Sequence, residues 1–452
     1  MPITELRKND PREIFGWLMY DWANSVFFTT VLGVLIGDYI TTLAQKAVGE
    51  NGVVISLAGY DLVTAKSLFS YSVALSVFLQ VFFLPVMGAI ADYTHLKKTF
   101  MAFFCYLGVL GCCLLFFVTG NTLLLGCFFF LVANLSAGAS AVFYNSYLND
   151  ITTNDQRDKV SSRGFALGYV SGGLVLVANL IFLKNAESLG ISIDLAVRLC
   201  LLTAGIWWGS FAIVTFRLLK TREAARTVPE GKHYITAGLG ELRETFRELF
   251  GLKHTLLFLI AYLLYNDGIQ TVISSSSVFL SQELFVARGL ETDRTVLVIA
   301  FLIAQFVGII GALAFERLAA ITSSKTAIMV SLILWSAIVV YAYALLDTLT
   351  QAYVMSGLIG FVLGGSQALS RSLFSRMIPA GRESSFFGIY EISERGTSWI
   401  GPIVFGLVAQ LTDSYRPAIL VLAVFFIVGC ILLYFVNTTR AIEEAAAVSE
   451  AA

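Results

Sequence analysis

Charge is what this chain has least of. Asp, Glu, Lys and Arg make up 13% of its 452 residues, against 57% hydrophobic residues and a mean hydropathy of +0.79. Those proportions exclude an ordinary soluble domain, and no nucleic-acid partner is expected. Histidine is scarcer still. His95, His233 and His254 fall in connections or at the end of an apolar run. A histidine proton relay within the membrane, a Cys/His metal site and a Ser–His hydrolase therefore lack their residues. The six cysteines (Cys105, Cys112, Cys113, Cys127, Cys200, Cys430) all lie in apolar runs, which predicts packing residues and no disulfide framework. No phosphate loop of the form G-x-x-x-x-G-K-[ST] occurs. ATP drive is not expected, nor any cofactor, and the chain does not read as an enzyme. Of seven prolines, Pro85 and Pro402 lie inside apolar runs, where they can kink a helix. A formal net charge of −1 says nothing about partners. The placement of the charges says more.

What the chain does have is apolar length. A membrane-crossing helix needs about 20 predominantly apolar residues. Twelve runs qualify, at roughly 14–40, 66–91, 99–118, 122–147, 162–183, 195–216, 255–280, 294–315, 325–346, 350–374, 385–411 and 417–436. The expected fold class is an all-α membrane protein. One long polar interruption divides the runs six and six. This predicts an N-terminal bundle over 1–216, a linker over 217–254, a C-terminal bundle over 255–436 and a tail over 437–452. In the linker, Leu239, Leu242, Phe246, Leu249 and Phe250 recur at helical spacing between charges, which predicts an amphipathic helix on the membrane surface. Lys and Arg divide roughly three to one in favour of the side that carries both termini and the linker, which places that side in the cytoplasm. Residues 1–13 are polar and hold no apolar signal core, so the first run is expected to stay as a span. Glycines cluster inside runs, at Gly172-Gly173, Gly364-Gly365 and Gly308-x-x-Gly311, where small residues let helices approach.

Two acids stand out because they interrupt otherwise apolar runs. Asp21 follows Tyr20 in the first run, and Asp267 follows Tyr265-Asn266 in the seventh. Each is followed three residues later by an amide, Asn24 or Gln270, which puts acid and amide on one helical face. Ser274 and Ser277 extend the second stripe. A carboxylate in hydrocarbon is costly unless it faces protein or a water-filled path. Either these acids line a pathway, and a proton on one of them couples transport, or they bind neighbouring helices together.

A second group lies nearer the cytoplasm. Gln367, Ser370 and Arg371 occupy the lower half of the tenth run, and Glu391, Glu394 and Arg395 the first turns of the eleventh. The tenth run descends and the eleventh rises, so both sets share a depth. Glu391 and Arg395 form an i, i+4 pair in the favourable order. Asn145, Asn149, Asp150 and Arg163 hold comparable places in runs four and five. These residues either staple helix ends or make and break contacts between the halves.

Twelve spans split six and six, with Gly88-Ala89-Ile90-Ala91-Asp92 closing the second and Lys97-Lys98 opening the third, resemble the major facilitator superfamily. Its signature at that connection is G-x-x-x-D-R-x-G-R-R/K. Here Tyr93 replaces the Arg, His95 replaces the Gly, and Ala320 stands where the second half would carry an acid. Four further strings are YDWANS (Tyr20 to Ser25), YNDGIQT (Tyr265 to Thr271), GGSQALSRSLF (Gly364 to Phe374) and FFGIYEIS (Phe386 to Ser393). They are similar to the vacuole-effluxer branch, the autophagy-related vacuolar amino-acid exporters of fungi and their bacterial relatives. The similarity covers nearly the whole chain. Its length and short loops look like those of the bacterial members.

The resemblance implies two pseudo-symmetric six-helix bundles around a midplane cavity lined by spans one, four, seven and ten. It implies a secondary transporter working by alternating access in a bacterial inner membrane, exporting small neutral amino acids. Asp21, Asn24, Asn145, Asp267, Gln270, Ser274 and Gln367 are then expected along the substrate and proton pathway. Asp92, Arg163, Arg371, Glu391, Glu394 and Arg395 are expected in a cytoplasmic gate. Arg371 and Arg395 should find acids among Glu391, Glu394 and Asp92, and Asp92 should meet the unpaired N–H groups that open span eleven. The expected partners are a small-molecule substrate, a proton and the lipid bilayer, and the chain is expected to act as a monomer. A sugar, an organic anion or a lipid is the alternative cargo. A non-transporting scaffold or sensor is the alternative class, and it leaves the buried acids without a purpose.

Overall fold

The computed structural model describes residues 8–49, 52–57, 60–65, 67–92, 95–222, 234–289, 294–396, 400–412 and 414–451. The first helix, α1 (Pro11–Val48), begins at Asp10, whose side chain accepts from the Arg12 N–H at 3.0 Å, with proline at the first helical position. Lys220 donates to the Asp10 carboxylate at 2.7 Å and holds its carboxyl below the usual range. α1 continues well past the expected end at residue 40, and its middle, Phe27–Leu35, is π-helical. Beyond it lies a small antiparallel hairpin, β1 (Val53–Leu57) and β2 (Tyr60–Thr64), the one sheet among the described residues. The helical periodicity of the flanking runs gave no sign of it.

The first half is completed by α2 (Leu68–Asp92), α3 (Lys97–Phe117), α4 (Gly120–Ile151), α5 (Arg157–Asn185) and α6 (Ile193–Leu218). A linker helix, α7 (Tyr234–Gly251), leads to α8 (Lys253–Leu284), α9 (Thr295–Ile321), α10 (Ser324–Leu345) and α11 (Leu349–Arg376). Then come α12 (Glu383–Glu391), a π-helical turn over Ile392–Gly396, α13 (Ile400–Thr412), α14 (Tyr415–Phe435) and a final helix α15 (Thr438–Ala451). Among the described residues, eleven helices are long and apolar enough to cross a membrane, with α13 as a shorter apolar helix. The expected eleventh run is helical over Glu383–Glu391, Ile392–Gly396 and Ile400–Thr412, and residues 397–399 lie outside the described residues. Ser393, Glu394 and Arg395 interrupt its apolar character where the chain is π-helical over Ile392–Gly396, and Pro402 lies inside the described helix α13.

Both termini of the described chain, α7 and the starts of α5 and α11's neighbours gather at one end, called the linker side below. Asn9 N–H bonds Ile151 O at 2.7 Å, Arg222 pairs with Glu13 at 2.8 Å, and Asn437 N–H meets His254 Nδ1 at 3.2 Å. The amphipathic linker segment is helical, but it docks on the bundle ends. Leu249 and Thr245 are buried while Phe246 and Phe250 stay exposed. Arg382, just before α12, pairs with Glu248 at 2.6 Å and Glu244 at 3.4 Å. Glu244 and Glu248 lie a turn apart on the same face as Thr245 and Leu249, so a buried arginine competes with the bilayer for that face. Side chains of 234–242 lie outside the described residues.

The two six-helix halves touch mainly through α5 against α9 and α11, and through α2 and α4 against α12. At the α2–α12 crossing only glycine fits. A Cβ on Gly88 would lie 2.2 Å from the Ser384 carbonyl oxygen.

Candidate functional site

Asp21 lies about three turns into α1, some 15 Å from its start. It is 8% exposed. Tyr144 of α4 donates its hydroxyl to Asp21 Oδ2 at 2.6 Å, and Arg371 Nη2 approaches the same oxygen at 3.5 Å. The fit is close: a Cβ on Gly164 of α5 would fall 2.1 Å from Asp21 Oδ2. Trp17, one turn before Asp21, stacks on Tyr144 with ring centroids 4.4 Å apart, and its indole N–H bonds Tyr144 O at 2.8 Å. Asn24 is buried on the acid's face but makes no side-chain hydrogen bond among the described residues.

Arg371 enters this pocket from α11, in the other half. Its Nε donates to Ser161 Oγ at 2.9 Å, Nη2 to Ser161 O at 3.0 Å and Nη1 to Asn145 Oδ1 at 3.3 Å. The guanidinium carbon lies over the rings of Phe165, Trp17 and Tyr144, at 4.4, 4.8 and 5.5 Å from their centroids. Shared depth predicts Arg371 beside Glu391, Glu394 or Asp92. Its anion is Asp21, because a long arginine side chain starting about one and a half turns before the end of α11 reaches up to the acid's level. Glu391 is linked to the cluster through Asn145, whose Nδ2 donates to Glu391 Oε1 at 2.7 Å. The expected pathway and gate thus meet in one cluster.

Around it the halves are joined repeatedly on the linker side. Arg376 pairs with Asp158 at 2.6 Å, and Ser324 and Ser372 also donate to Asp158. Asn149 Nδ2 and Arg157 Nη1 both reach Ser375 O, at 2.9 and 2.6 Å. Tyr169 donates to Gln367 Oε1 at 3.3 Å. Asp92 sits where the resemblance implies, at the start of α12. It accepts the N–H groups of Ser384 at 3.0 Å and Ser385 at 2.8 Å, and the Ser385 hydroxyl at 2.6 Å. Asp150 pairs within its own half, with Lys97 at 3.0 Å. Arg163 is not brought to the cluster. Its side chain is exposed and has no partner among the described residues, since it lies on the opposite face of α5 from Ser161 and Phe165. Glu394 is half-buried and its carbonyl accepts from Asn266 Nδ2 at 3.0 Å. The Arg395 side chain lies outside the described residues.

Asp267 is placed differently. It is 1% exposed, and Oδ2 accepts the Gly401 N–H of α13 at 2.7 Å. Its Oδ1 has no hydrogen-bond partner among the described residues. No cation forms an ion pair with it there. Gln270 is half-buried and Ser274 and Ser277 are exposed, so the stripe emerges toward the side opposite the linker. The halves supply an internal ruler. Tyr20 bonds Ser140 of α4, and Tyr265 bonds Ser370 of α11 at 2.6 Å. Counted from these tyrosines, Asp21 is one residue on and Asp267 two, so the carboxyls leave their helices about 100° apart. Asn266 holds the place that corresponds to Asp21.

Trp17, Tyr144, Ser161, Phe165, Asp158 and Arg376 escaped the sequence reading. Trp17 carried a usable signal, one turn from Asp21, and Tyr144 adjoins Asn145. Asp158 and Arg376 lie at span ends, where charges ordinarily face water.

This architecture resembles that of solved transporters. The Escherichia coli fucose:proton symporter FucP superposes with a TM-score of 0.68 at 12% identity, covering 94% of this chain and 98% of that one. The human organic anion transporter MFSD10 (TETRAN) gives 0.68 at 13% identity, covering 94% and 100%. The protein is a multi-pass membrane transporter with the major facilitator fold. Among curated sequences, an uncharacterised MFS-type transporter of Bacillus subtilis, YxiO, is 29% identical over 93% of this chain and 94% of its own length. Autophagy-related protein 22 of Coccidioides immitis is 26% identical over 100% and 90%. The family described as "Vacuole effluxer Atg22 like" matches residues 9–446, and the chain belongs to it.

Proposed function

We propose that the protein exports small neutral amino acids across a bacterial inner membrane by alternating access, with its termini and linker in the cytoplasm and a proton as the coupling ion. The observation that carries this reading is the asymmetry of the interface. Buried cross-half contacts around Arg371, Asp158 and Asp92 close the linker side, while the polar stripe from Asp267 emerges exposed on the other. A transporter needs one closed end and one polar path at a time. A scaffold has no use for charges buried across a separable interface.

Asp267 is the better seat for the proton. It has no ion-pair partner among the described residues, so its neutralisation breaks none there, whereas neutral Asp21 would leave Arg371 without its close anion. The test is uptake and efflux of a labelled amino-acid panel in proteoliposomes, with and without a pH gradient, for the unaltered protein and Asp267→Asn. Gradient-driven accumulation should vanish in the variant while exchange down a solute gradient survives. Full gradient-driven activity in Asp267→Asn would remove the proton assignment. No movement of any amino acid by the unaltered protein would remove the cargo.

A further inference from the structure

Every hydrogen-bond, ion-pair and ring partner of the Arg371 guanidinium among the described residues belongs to the half of the molecule that Arg371 does not, while Tyr390 and Glu394 of its own half act on it through their charge. Trp17 and Asp21 come from α1, Tyr144 and Asn145 from α4, and Ser161 and Phe165 from α5. The guanidinium is therefore a plug, carried by α11 and seated in a socket whose described direct contacts all come from the first half. The socket offers one carboxylate, three aromatic faces, and the acceptor oxygens Asn145 Oδ1, Ser161 Oγ and Ser161 O. No first-half cation pairs with Asp21 among the described residues. That inventory fits a cation that carries N–H donors.

Separating the halves on the linker side must withdraw α11, and Arg371 with it. Among the described residues, the carboxylate would then keep only the Tyr144 hydroxyl, at 2.6 Å. A buried carboxylate stripped of its counter-cation is strongly unfavourable, so the open state calls for another cation. The Arg371–Asp21 contact, at 3.5 Å, is also longer than the Arg376–Asp158 pair at 2.6 Å. The plug is held by its rings and by Ser161 as much as by the acid.

We propose that this socket is the receptor for the cargo's cationic head, a primary ammonium or guanidinium group, and that Arg371 is a tethered competitor for it. With the linker side open, the cargo's ammonium takes the place of the guanidinium. When that side closes, Arg371 returns and displaces the ammonium toward the opposite side. Cargo and closed gate exclude one another at one spot. The identity of the cargo as an amino acid rests on the transport reading above. The socket itself does not.

The test uses full-length protein in lipid nanodiscs and the probe n-propylguanidinium chloride. By calorimetry, Arg371→Ala should bind it saturably and at least tenfold more tightly than the unaltered protein does. Arg371→Ala combined with Asp21→Asn should lose that binding, and tetramethylammonium, which lacks N–H donors, should bind more weakly. A monodisperse Arg371→Ala protein without saturable binding, or with binding that Asp21→Asn leaves intact, overturns the proposal. If Arg371→Ala does not yield monodisperse protein, hydrogen exchange on the unaltered protein decides. The probe must raise exchange across 366–376 above that in equimolar sodium chloride, and no rise overturns the proposal. Binding is read without transport, so a protein that binds the probe but moves no amino acid keeps the socket and loses the cargo. One that moves amino acids without binding the probe loses the socket alone.

Discussion

Asp21 and Asp267 look alike in the sequence and differ in almost everything else. Each is a buried acid well inside the first span of its half, and each is followed by an amide three residues on. Asp21 meets a cation from the opposite half, so its charge is part of what holds the halves together. Among the described residues Asp267 meets only a backbone N–H of its own half, that of Gly401 in α13. A one-residue offset from the Tyr–Ser ruler turns the two carboxyls toward different neighbours. The same short motif thus yields a cross-half clasp in one bundle and, in the other, a locally tied acid with no cation partner among the described residues. A motif match fixes the residue type, and the helical phase fixes its work.

The largest expected effect follows from removing the clasp. Asp21→Ala strands a buried arginine, at a cost on the order of 3–5 kcal/mol. Thermal unfolding in detergent should fall steeply, and a cysteine at Ser375 should become reactive from the linker side. If Asp21→Ala is as stable as the unaltered protein, the contrast between the two acids collapses. Next in size is a change that touches neither acid. Gly88→Val drives a side chain into the Ser384 backbone, and overpacking of this kind costs about 1–3 kcal/mol. It should shift the protein toward the linker-open state by the same Ser375 readout. An unchanged labelling rate would mean that the α2–α12 crossing does not limit opening.

Smaller still should be the stability change in Asp267→Asn. The asparagine oxygen can still accept the Gly401 N–H, so the loss should stay within about 1 kcal/mol. A destabilisation equal to that of Asp21→Asn would make both acids structural. The mildest perturbation concerns orientation. A cysteine placed at Lys232 should resist an impermeant thiol reagent in intact cells, and ready labelling would invert the assignment of sides.

The spans were legible because apolar length is a strong signal, and eleven of the twelve runs are single spans, α1 running past its expected end. In the eleventh, the π-helical turn over Ile392–Gly396 coincides with the polar Ser393-Glu394-Arg395, and hydropathy alone carries no sign of a change in helix type. Asp92 at the start of α12, Arg371 in a buried cluster and Asn145 beside it were all foreseeable. Their partners were not. Depth along a span ignores the length of an arginine side chain, so depth alone sets Arg371 among Glu391, Glu394 and Asp92 and not beside Asp21. Phase around a helix cannot be compared between halves without a common origin, and Tyr20–Ser140 and Tyr265–Ser370 supply one only once the fold is known. The aromatic walls from Trp17 and Phe165 are silent in an apolar chain, where rings are ordinary packing. Arg163 misled for the converse reason: a charge at the right depth but on the wrong face.

The length of α1 has a practical consequence. Its outer portion is fastened to the first half, with the Tyr39 hydroxyl donating to Val118 O at 2.7 Å and Leu43 and Ala44 buried. It therefore moves as a rigid pointer. Val48 lies roughly 40 Å along the axis from Asp21, so a tilt of about 10° about the acid's level swings the tip by some 7 Å. A spin label or fluorophore at Val48, paired with one at Leu349 in the second half, would register the rocking of the halves as a lever registers a small turn of its fulcrum.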